Sequence, residues 1–375
     1  MIPFNRPTVA PGQLDLVAQA FASGHLSGDG ELTKRAAALL SQIHNGSSVL
    51  LTTSCTAALE LSALLLELSP GDEVIVPSFT FVSSANAFAL MGARIVFVDI
   101  DPATLNLDAT QALAAITPRT RAIVAVNYGG VPSVTDELIS GASANGTVII
   151  EDNAHGLFGS DRGTALGTRS ALSTLSFHET KNVTCGEGGA LVVNDSQFIE
   201  RAEIIREKGT NRSRFFRGMV DKYTWMDVGS SYLLSDVNAG ILCAQLDHRE
   251  TIQSRRRSAA CTYREQLADW ADSNDVVMPH RAHSPGLPDH LFPLLFRDLD
   301  TRRRFLEHTR ANGVATTFHY LPLHSSPAGE RFGQTPFGCP VTTSVSDRLA
   351  RLPLFSDITP NEVEIIVDVV RRFAT

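Results

Sequence analysis

Lysine is scarce in this chain, and one lysine stands apart from the rest. Lys34, Lys181, Lys208 and Lys222 are the only four, and all except Lys181 sit among charged neighbours. Lys181 follows the apolar run Leu172-Ser-Thr-Leu-Ser176-Phe and precedes the glycine turn Gly186-Glu-Gly-Gly189. An amine at the mouth of a buried strand loses hydration, which favours its neutral form and makes it a nucleophile toward a carbonyl carbon. An ordinary surface lysine at a strand end would look the same locally. Asp152 closes the run Thr147-Val-Ile-Ile-Glu-Asp152. A carboxylate there is partly buried and needs a cationic partner. A protonated pyridine nitrogen would serve, and the carboxylate would keep that ring an electron acceptor. Asp152 could equally cap a turn or bind a ribose. His155, a little further on, can hydrogen-bond a substituent of the same ring. Ser54-Cys55-Thr56 leaves a β-rich stretch and opens a helical one, so its hydroxyls and free N–H groups suit a phosphate, although an N-cap also explains the serine. Phe79 and Phe81, after Val74-Ile-Val-Pro77, could stack on a planar ring or belong to the core.

These groups need a common frame, and the hydrophobic pattern supplies one. Short β-branched runs at Ser48-Val-Leu-Leu-Thr52, Glu73-Val-Ile-Val-Pro77, Arg94-Ile-Val-Phe-Val-Asp99, Arg121-Ala-Ile-Val-Ala-Val126, Thr147–Asp152 and Ser173–Phe177 predict strands. Gly189-Ala-Leu-Val-Val-Asn194 predicts a seventh, and amphipathic stretches such as Thr56–Leu68 and Ala85–Gly92 predict helices between them. Near-continuous apolar strands separated by helices indicate an α/β fold, a mostly parallel sheet covered on both faces. Such sheets bind ligands at the carboxyl ends of their strands, where all the residues above fall. Beyond the sheet we expect a helix over 196–208, a long loop over 209–227, a helix from Ser235-Asp236 to Asp247 and another over 248–270. The Arg255-Arg-Arg257 run in the last reads as a solvated face. Residues 274–288 read as a surface connection, and Leu291 onward as a smaller α+β unit. The expected division is a large domain over 1–247 and a small C-terminal one over 248–375.

Composition narrows the function classes. With 375 residues, 43% of them hydrophobic, and a net charge of −8, the chain suits a soluble globular protein without a nucleic-acid footprint. No uncharged apolar run reaches the ~18 residues a membrane span needs, and Met1-Ile-Pro-Phe-Asn-Arg-Pro7 does not resemble a signal peptide. The five cysteines are widely spaced and include no Cys-x-x-Cys pair, which predicts a reduced, cytoplasmic protein without a structural metal. A dinucleotide enzyme would carry G-x-G-x-x-G at its first strand-to-helix turn; Gly24, Gly28 and Gly30 have the wrong spacing and follow no strand. Pyridoxal phosphate accounts for the anion site, the aromatic platform, the buried carboxylate and the sheltered lysine with one ligand.

Five motifs in order and spacing resemble the DegT/StrS family of nucleotide-sugar aminotransferases. They are Ser54-Cys-Thr-Ala-Ala-Leu59, Pro70-Gly-Asp-Glu-Val-Ile-Val-Pro-Ser-Phe-Thr-Phe81, Glu151-Asp-Asn-Ala-His155, Ser176-Phe-His-Glu-Thr-Lys181 and Gly186-Glu-Gly-Gly189. Arg206-Glu-Lys-Gly-Thr-Asn-Arg-Ser213, Gly229-Ser-Ser-Tyr-Leu-Leu-Ser-Asp236 and Phe318-His-Tyr-Leu-Pro-Leu-His324 are most similar to its dTDP-4-amino-4,6-dideoxygalactose transaminases. The resemblance implies the fold type I (aspartate aminotransferase-like) architecture of pyridoxal phosphate enzymes. It implies that Lys181 holds the cofactor covalently, that Asp152 faces its ring nitrogen, and that His155 lies near the ring hydroxyl. It also implies Phe81 as the stacking aromatic, with Cys55, Thr56 and Ser176 on the phosphate. Many relatives have an asparagine that reaches the phosphate from the neighbouring subunit; this chain has Ser231 there, and Leu233 where they carry an arginine.

By the same resemblance we expect a homodimer with shared active sites, formed by segments in the 209–234 region. L-Glutamate is the expected amino donor and a dTDP-4-keto-6-deoxyhexose the acceptor, with Arg212, Lys222, Tyr223 and Tyr320 as candidate sugar-nucleotide contacts. Relatives that act as dehydratases carry histidine in place of the lysine. The alternatives are an aminotransferase for another nucleotide ketosugar and a non-catalytic pyridoxal phosphate-binding sensor.

Overall fold

Eight strands form one sheet in the computed structural model, which describes residues 1–279 and 286–374. In chain order the strands are β1 (Ser48–Thr52), β2 (Glu73–Pro77), β3 (Arg94–Val98), β4 (Thr120–Val126) and β5 (Val148–Asp152). A small hairpin, β6 (Ser160–Asp161) and β7 (Thr164–Ala165), precedes β8 (Leu172–Ser176) and β9 (Gly189–Val193). Then come β10 (Phe292–Leu295), β11 (Thr317–Phe318), β12 (Gly333–Gln334) and β13 (Leu349–Leu352). The large sheet runs β1-β9-β8-β5-β4-β2-β3-β12. Only β9 opposes the common direction, pairing antiparallel with β1 and β8. The sheet is therefore mostly parallel, as the pattern of β-branched runs predicts.

Alternating side chains serve two apolar layers, as the two-residue period of a strand requires. Val74, Val76, Val124, Ile150 and Leu191 pack with helices Cys55–Leu65, Ser83–Leu90 and Ile199–Arg206. On the opposite face, Ile75, Val96, Ile123 and Ile149 pack under Ala109–Ala114 and Asp136–Ala144. Helices Glu31–Ile43 and Asp236–Asp247 cover Val49, Leu175 and Val192. Both of these helices are anchored by polar caps. Ser235 caps the second, and the buried Asp236 accepts from the N–H and hydroxyl of Thr33 at 2.7 Å each, in the first turn of the other.

The C-terminal part has its own core around Tyr263, Phe292, Phe296, Phe305 and Ile366, joined by Ile2 from the chain start. Its sheet is β10-β13-β11, antiparallel throughout. It also lends β12 to the edge of the large sheet beside β3. No helix among the described residues is long and apolar enough to cross a membrane.

Four local expectations need correction. The 209–227 stretch is not all loop, because Arg212–Phe216 forms a short helix. The helix expected over 196–208 begins as the 3-10 turn Ser196–Phe198 and ends at Arg206. Arg256 is buried, not solvated: its guanidinium donates to the carbonyls of Asp289 at 3.2 Å, His290 at 2.6 Å and Leu354 at 3.0 Å. Charge patterning misjudges it because these carbonyls belong to distant segments. The expected surface connection over 274–288 lies partly outside the described residues. Its end is not at the surface: Leu287 and Pro288 are buried, as are Asp289 and His290 after them.

Candidate active site

The site assembles at the carboxyl ends of β1, β2, β4, β5 and β8. After β1, Ser54 caps the helix Cys55–Leu65 by accepting from Ala57 N–H at 3.0 Å. This leaves the first N–H groups at half-buried Cys55 and Thr56, where the helix dipole favours an anion. Gly189 of β9 fixes the approach: a Cβ there would lie 2.3 Å from the Ser54 carbonyl carbon. The Thr56 hydroxyl meets that of Ser83 at 2.8 Å, and Ser176 ends β8 with its side chain buried.

Lys181 lies in a tight loop between β8 and β9. Backbone bonds from Phe177 N to Gly188 O (2.8 Å) and from Cys185 N to Phe177 O (3.0 Å) pinch that loop shut. Burial lowers the Lys181 amine to about 8, outweighing the upward pull of Cys55 and Asp152, and the positive charge of Arg351 adds to the lowering. Roughly a tenth of the amine is therefore neutral at pH 7, far more than for an ordinary lysine. Burial, aided by the Asp152 charge, pushes the Cys55 thiol up to about 12, so it is not a rival nucleophile.

Asp152 is buried at the end of β5. Burial raises its pKa, against the Ser84 hydroxyl donating at 2.6 Å, the Ala154 N–H at 3.2 Å and the charge of Lys181. No lysine or arginine among the described residues reaches it as an ion pair, so the carboxylate has room for a cation brought by a ligand. The preceding carboxylate, Glu151, is committed elsewhere, to Asn127 at 2.6 Å and Gly167 N–H at 2.8 Å.

Opposite stands a stack of neutral imidazoles. His155 stacks on His290 with ring centroids 4.4 Å apart and lies near-parallel to His319 at 6.0 Å. Burial and the charges of Lys181 and Arg351 hold all three histidines well below their ordinary pKa, hence uncharged. Asn182, next to Lys181, ties this stack to the loop, its Oδ1 2.8 Å from His290 Nδ1 and its Nδ2 donating to Pro288 O at 2.8 Å. Tyr320 stacks on His319 at 3.5 Å and borders Phe79, Phe81 and Tyr128. Phe79 is buried in this aromatic group, whereas Phe81 is 56% exposed.

Lys181, Asp152, His155, Cys55, Thr56, Ser176 and Tyr320 thus gather at one end of the sheet, with Phe81 at its rim. Arg212, Lys222, Tyr223 and Ser231 lie on a different, exposed segment. Arg212 pairs with Glu207 at 3.2 Å, Tyr223 lies beside Phe215, and Ser231 bridges Glu207. None of these four has a hydrogen bond, ion pair or ring contact with the Lys181 group among the described residues. Sequence reasoning missed Ser84, Tyr128, His290, His319 and Arg351. The strand-end rule, applied also to β4, points to Tyr128; the last three come from the C-terminal unit, which no strand end of the large sheet indicates.

The donor set fits a phosphorylated pyridine aldehyde. It offers a helix N-terminus for the phosphate, an unpaired buried carboxylate for the ring nitrogen, a neutral histidine for a ring substituent and a low-pKa amine for the aldehyde. The profile of the DegT/DnrJ/EryC1/StrS aminotransferase family matches residues 8–371. Among curated proteins, an uncharacterized protein, MJ1066 of Methanocaldococcus jannaschii, is 32% identical over 331 residues, 86% of this chain and 84% of its own. The aminotransferase TlmJ from Streptoalloteichus hindustanus superposes with a TM-score of 0.89 at 31% identity, covering 99% of this chain and 98% of its own. Spr1654 from Streptococcus pneumoniae, described as a candidate sugar aminotransferase and solved in its PMP-form, gives a TM-score of 0.90 at 25% identity, with 99% and 98% covered.

Proposed function

The chain belongs to the DegT/DnrJ/EryC1/StrS aminotransferase family and is a pyridoxal-phosphate-dependent enzyme, and from that premise we propose that it aminates a nucleotide-linked ketosugar. The acceptor in this reading is dTDP-4-keto-6-deoxy-D-glucose, the product dTDP-4-amino-4,6-dideoxy-D-galactose and the donor L-glutamate. The observation that carries the aminotransferase chemistry is the pairing of a low-pKa Lys181 with a buried, otherwise unpaired Asp152 at the strand ends. The motifs at Arg206–Ser213, Gly229–Asp236 and Phe318–His324 support the particular sugar.

When bound, pyridoxal phosphate supplies an electron sink for charge that develops at the substrate carbon. The chain's residues do the rest. Cys55 and Thr56 N–H groups and the Ser176 hydroxyl bind the phosphate, and Asp152 holds a proton at the ring nitrogen. Neutral His155 orients the ring without adding a competing positive charge. Lys181 Nζ removes the proton from the donor's α-carbon and, in the second half-reaction, delivers one to the sugar carbon that loses its ketone oxygen. The aromatic wall of Phe79, Tyr128 and Tyr320 excludes water from that transfer.

We further propose a division near residue 247, a homodimer formed through the 209–234 region, and sugar-nucleotide contacts from Arg212, Lys222 and Tyr223 across that dimer. In the same reading Ser231 reaches the partner's phosphate site. The five unpaired cysteines fit a reducing cytoplasm. The deciding experiment incubates the PMP-form with a panel of dTDP-ketosugars and reads product regiochemistry and stereochemistry by NMR. Amination at C4 of the 6-deoxy-4-ketoglucose with an axial amine is expected; turnover of only a 3-ketosugar would replace the substrate, and no turnover of any would favour a sensor.

A further inference from the structure

A second cleft lies at the other end of the sheet from Lys181. It encloses about 380 Å³ and opens where β2, β3 and β12 begin. The length of a five-residue strand, on the order of 15 Å, separates it from the strand ends that carry the candidate active site. Arg94, Arg119 and Arg331 line it, with Glu73, Phe332 and Gln334. In a chain of net charge −8, three arginines converging on one hollow make a locally positive field. Glu73 does not cancel it. Burial raises the Glu73 carboxyl, but the Thr117 hydroxyl at 2.6 Å, Arg119 Nε at 3.2 Å and the Gln334 amide hold it below its ordinary value. Arg119 balances that one charge. Arg94 and Arg331 make no ion pair among the described residues. Arg94 Nη1 donates to the Arg331 carbonyl at 3.1 Å, and the Arg331 guanidinium carbon lies 4.8 Å from the Phe332 ring centroid. All three guanidiniums are therefore braced before a ligand arrives, which reduces the entropy lost on binding.

We propose that this cleft is a second ligand site and that it takes a diphosphate group. A guanidinium fork matches phosphate oxygens, and two unpaired forks in one cleft suit a ligand with two linked anionic centres. The volume falls in the range of small-molecule sites and exceeds what a single phosphate fills. Gly71, at φ 102°, leaves part of the wall bare: a Cβ there would meet no atom within 4 Å. Two sources carry the group, free pyrophosphate and a nucleoside diphosphate. Phe332, 41% exposed on the cleft wall, favours the second, because its ring offers a base a surface to stack on. The walls come from both parts of the chain, Arg94 and Arg119 from the large sheet and Arg331 and Phe332 from the helix Pro327–Phe332. A bound diphosphate would thus tie the C-terminal part to the start of β3.

The test uses holoenzyme, titrated by calorimetry with inorganic pyrophosphate and with dTDP. Arg331→Ala and Arg94→Ala are compared with Arg303→Ala, which removes an exposed arginine of the helix Leu299–Ala311 outside the cleft. Each cleft variant should bind pyrophosphate roughly tenfold or more weakly, the effect of one lost charge-assisted contact, and Arg303→Ala should bind as wild type does. Arg331→Ala keeps the carbonyl that Arg94 uses, so it serves if Arg94→Ala loosens the fold, with Tm as the check. Tighter binding of dTDP than of pyrophosphate at the Arg331-dependent site assigns it to a nucleotide, and equal binding assigns it to the free diphosphate. No pyrophosphate binding in wild type overturns the proposal. So does binding that neither cleft variant weakens, or that Arg303→Ala weakens equally. The dTDP-sugar reading stands or falls separately: it requires a further dTDP site that does not depend on Arg331, and the lack of one counts against that reading and not against the cleft.

Discussion

At the scale of single residues, Lys181 is set apart by its surroundings. Lys181→Ala should lower turnover by roughly 10²–10⁴-fold or more, because it removes the group that moves the proton. Lys34→Ala, on an exposed helix face, should leave turnover unchanged. Both are read by steady-state kinetics, with circular dichroism to confirm folding, and equal losses would misplace the nucleophile. Its pKa of about 8 also sets a pH dependence. The neutral amine is the reactive form, so the rate at which cofactor-free protein takes up pyridoxal phosphate should rise with pH and level off above about 8. Stopped-flow absorbance measures this directly; a rise continuing to the ordinary lysine value, 10.5, would mean that the amine is not desolvated. Lys181 and Asp152 stand out in the sequence because Asp152 ends the β-branched run from Thr147 and Lys181 lies between the run Leu172–Phe177 and the glycine turn Gly186–Gly189. Arg351 does not, since alternation on a short strand gives no sign of which face turns toward Lys181.

At the scale of elements, strands β1 to β5, β8 and β9 were readable almost to the residue, because β-branched runs end at Gly, Pro or polar punctuation. Long-range polar contacts were not readable, and Arg256 shows why. In sequence it is the middle of three arginines on a helix, yet it clamps the carbonyls of Asp289, His290 and Leu354. Burial lowers its pKa to about 10 despite the nearby charge of Asp289, so it remains a cation at neutral pH. Arg256→Ala strands those buried carbonyls and should cost roughly 3–5 kcal/mol, seen as a lower urea midpoint. Arg255→Ala removes an exposed pair with Asp357 and should cost under about 1 kcal/mol. Equal effects would return the whole run to the solvated face that charge patterning suggests. Because the Arg256 clamp holds His290, the damaged variant should also retain cofactor poorly, linking a stability element to the site.

At the scale of the whole molecule, the 212–228 segment exposes more apolar surface than one chain can justify. Phe216 is 69% exposed, Met219 60%, Trp225 77% and Met226 55%, in a stretch that also carries Tyr223 and Val228. Contiguous apolar patches of this kind mark association surfaces. The segment is nonetheless braced from within. Asn211 accepts from Thr224 N–H at 2.8 Å, Met226 N–H donates to Gly209 O at 2.7 Å, and the Trp225 indole donates to Asp227 O at 2.6 Å. A surface held in shape without its partner loses little entropy on binding, which favours a stable contact over a transient one. The occupant we favour is a second copy of the chain, because the segment carries Arg212, Lys222 and Tyr223 and is followed closely by Ser231, four site candidates that do not contact Lys181 among the described residues. Trp225→Glu places a charge at the centre of that face and should weaken association by about 2 kcal/mol or more. Sedimentation velocity should then show monomers at concentrations where wild type is dimeric. Activity should fall with the dimer fraction and recover at high protein concentration, since in the proposed dimer these residues serve the partner's site. A variant that remains dimeric and fully active would move the interface elsewhere and leave these four residues without a route to the site.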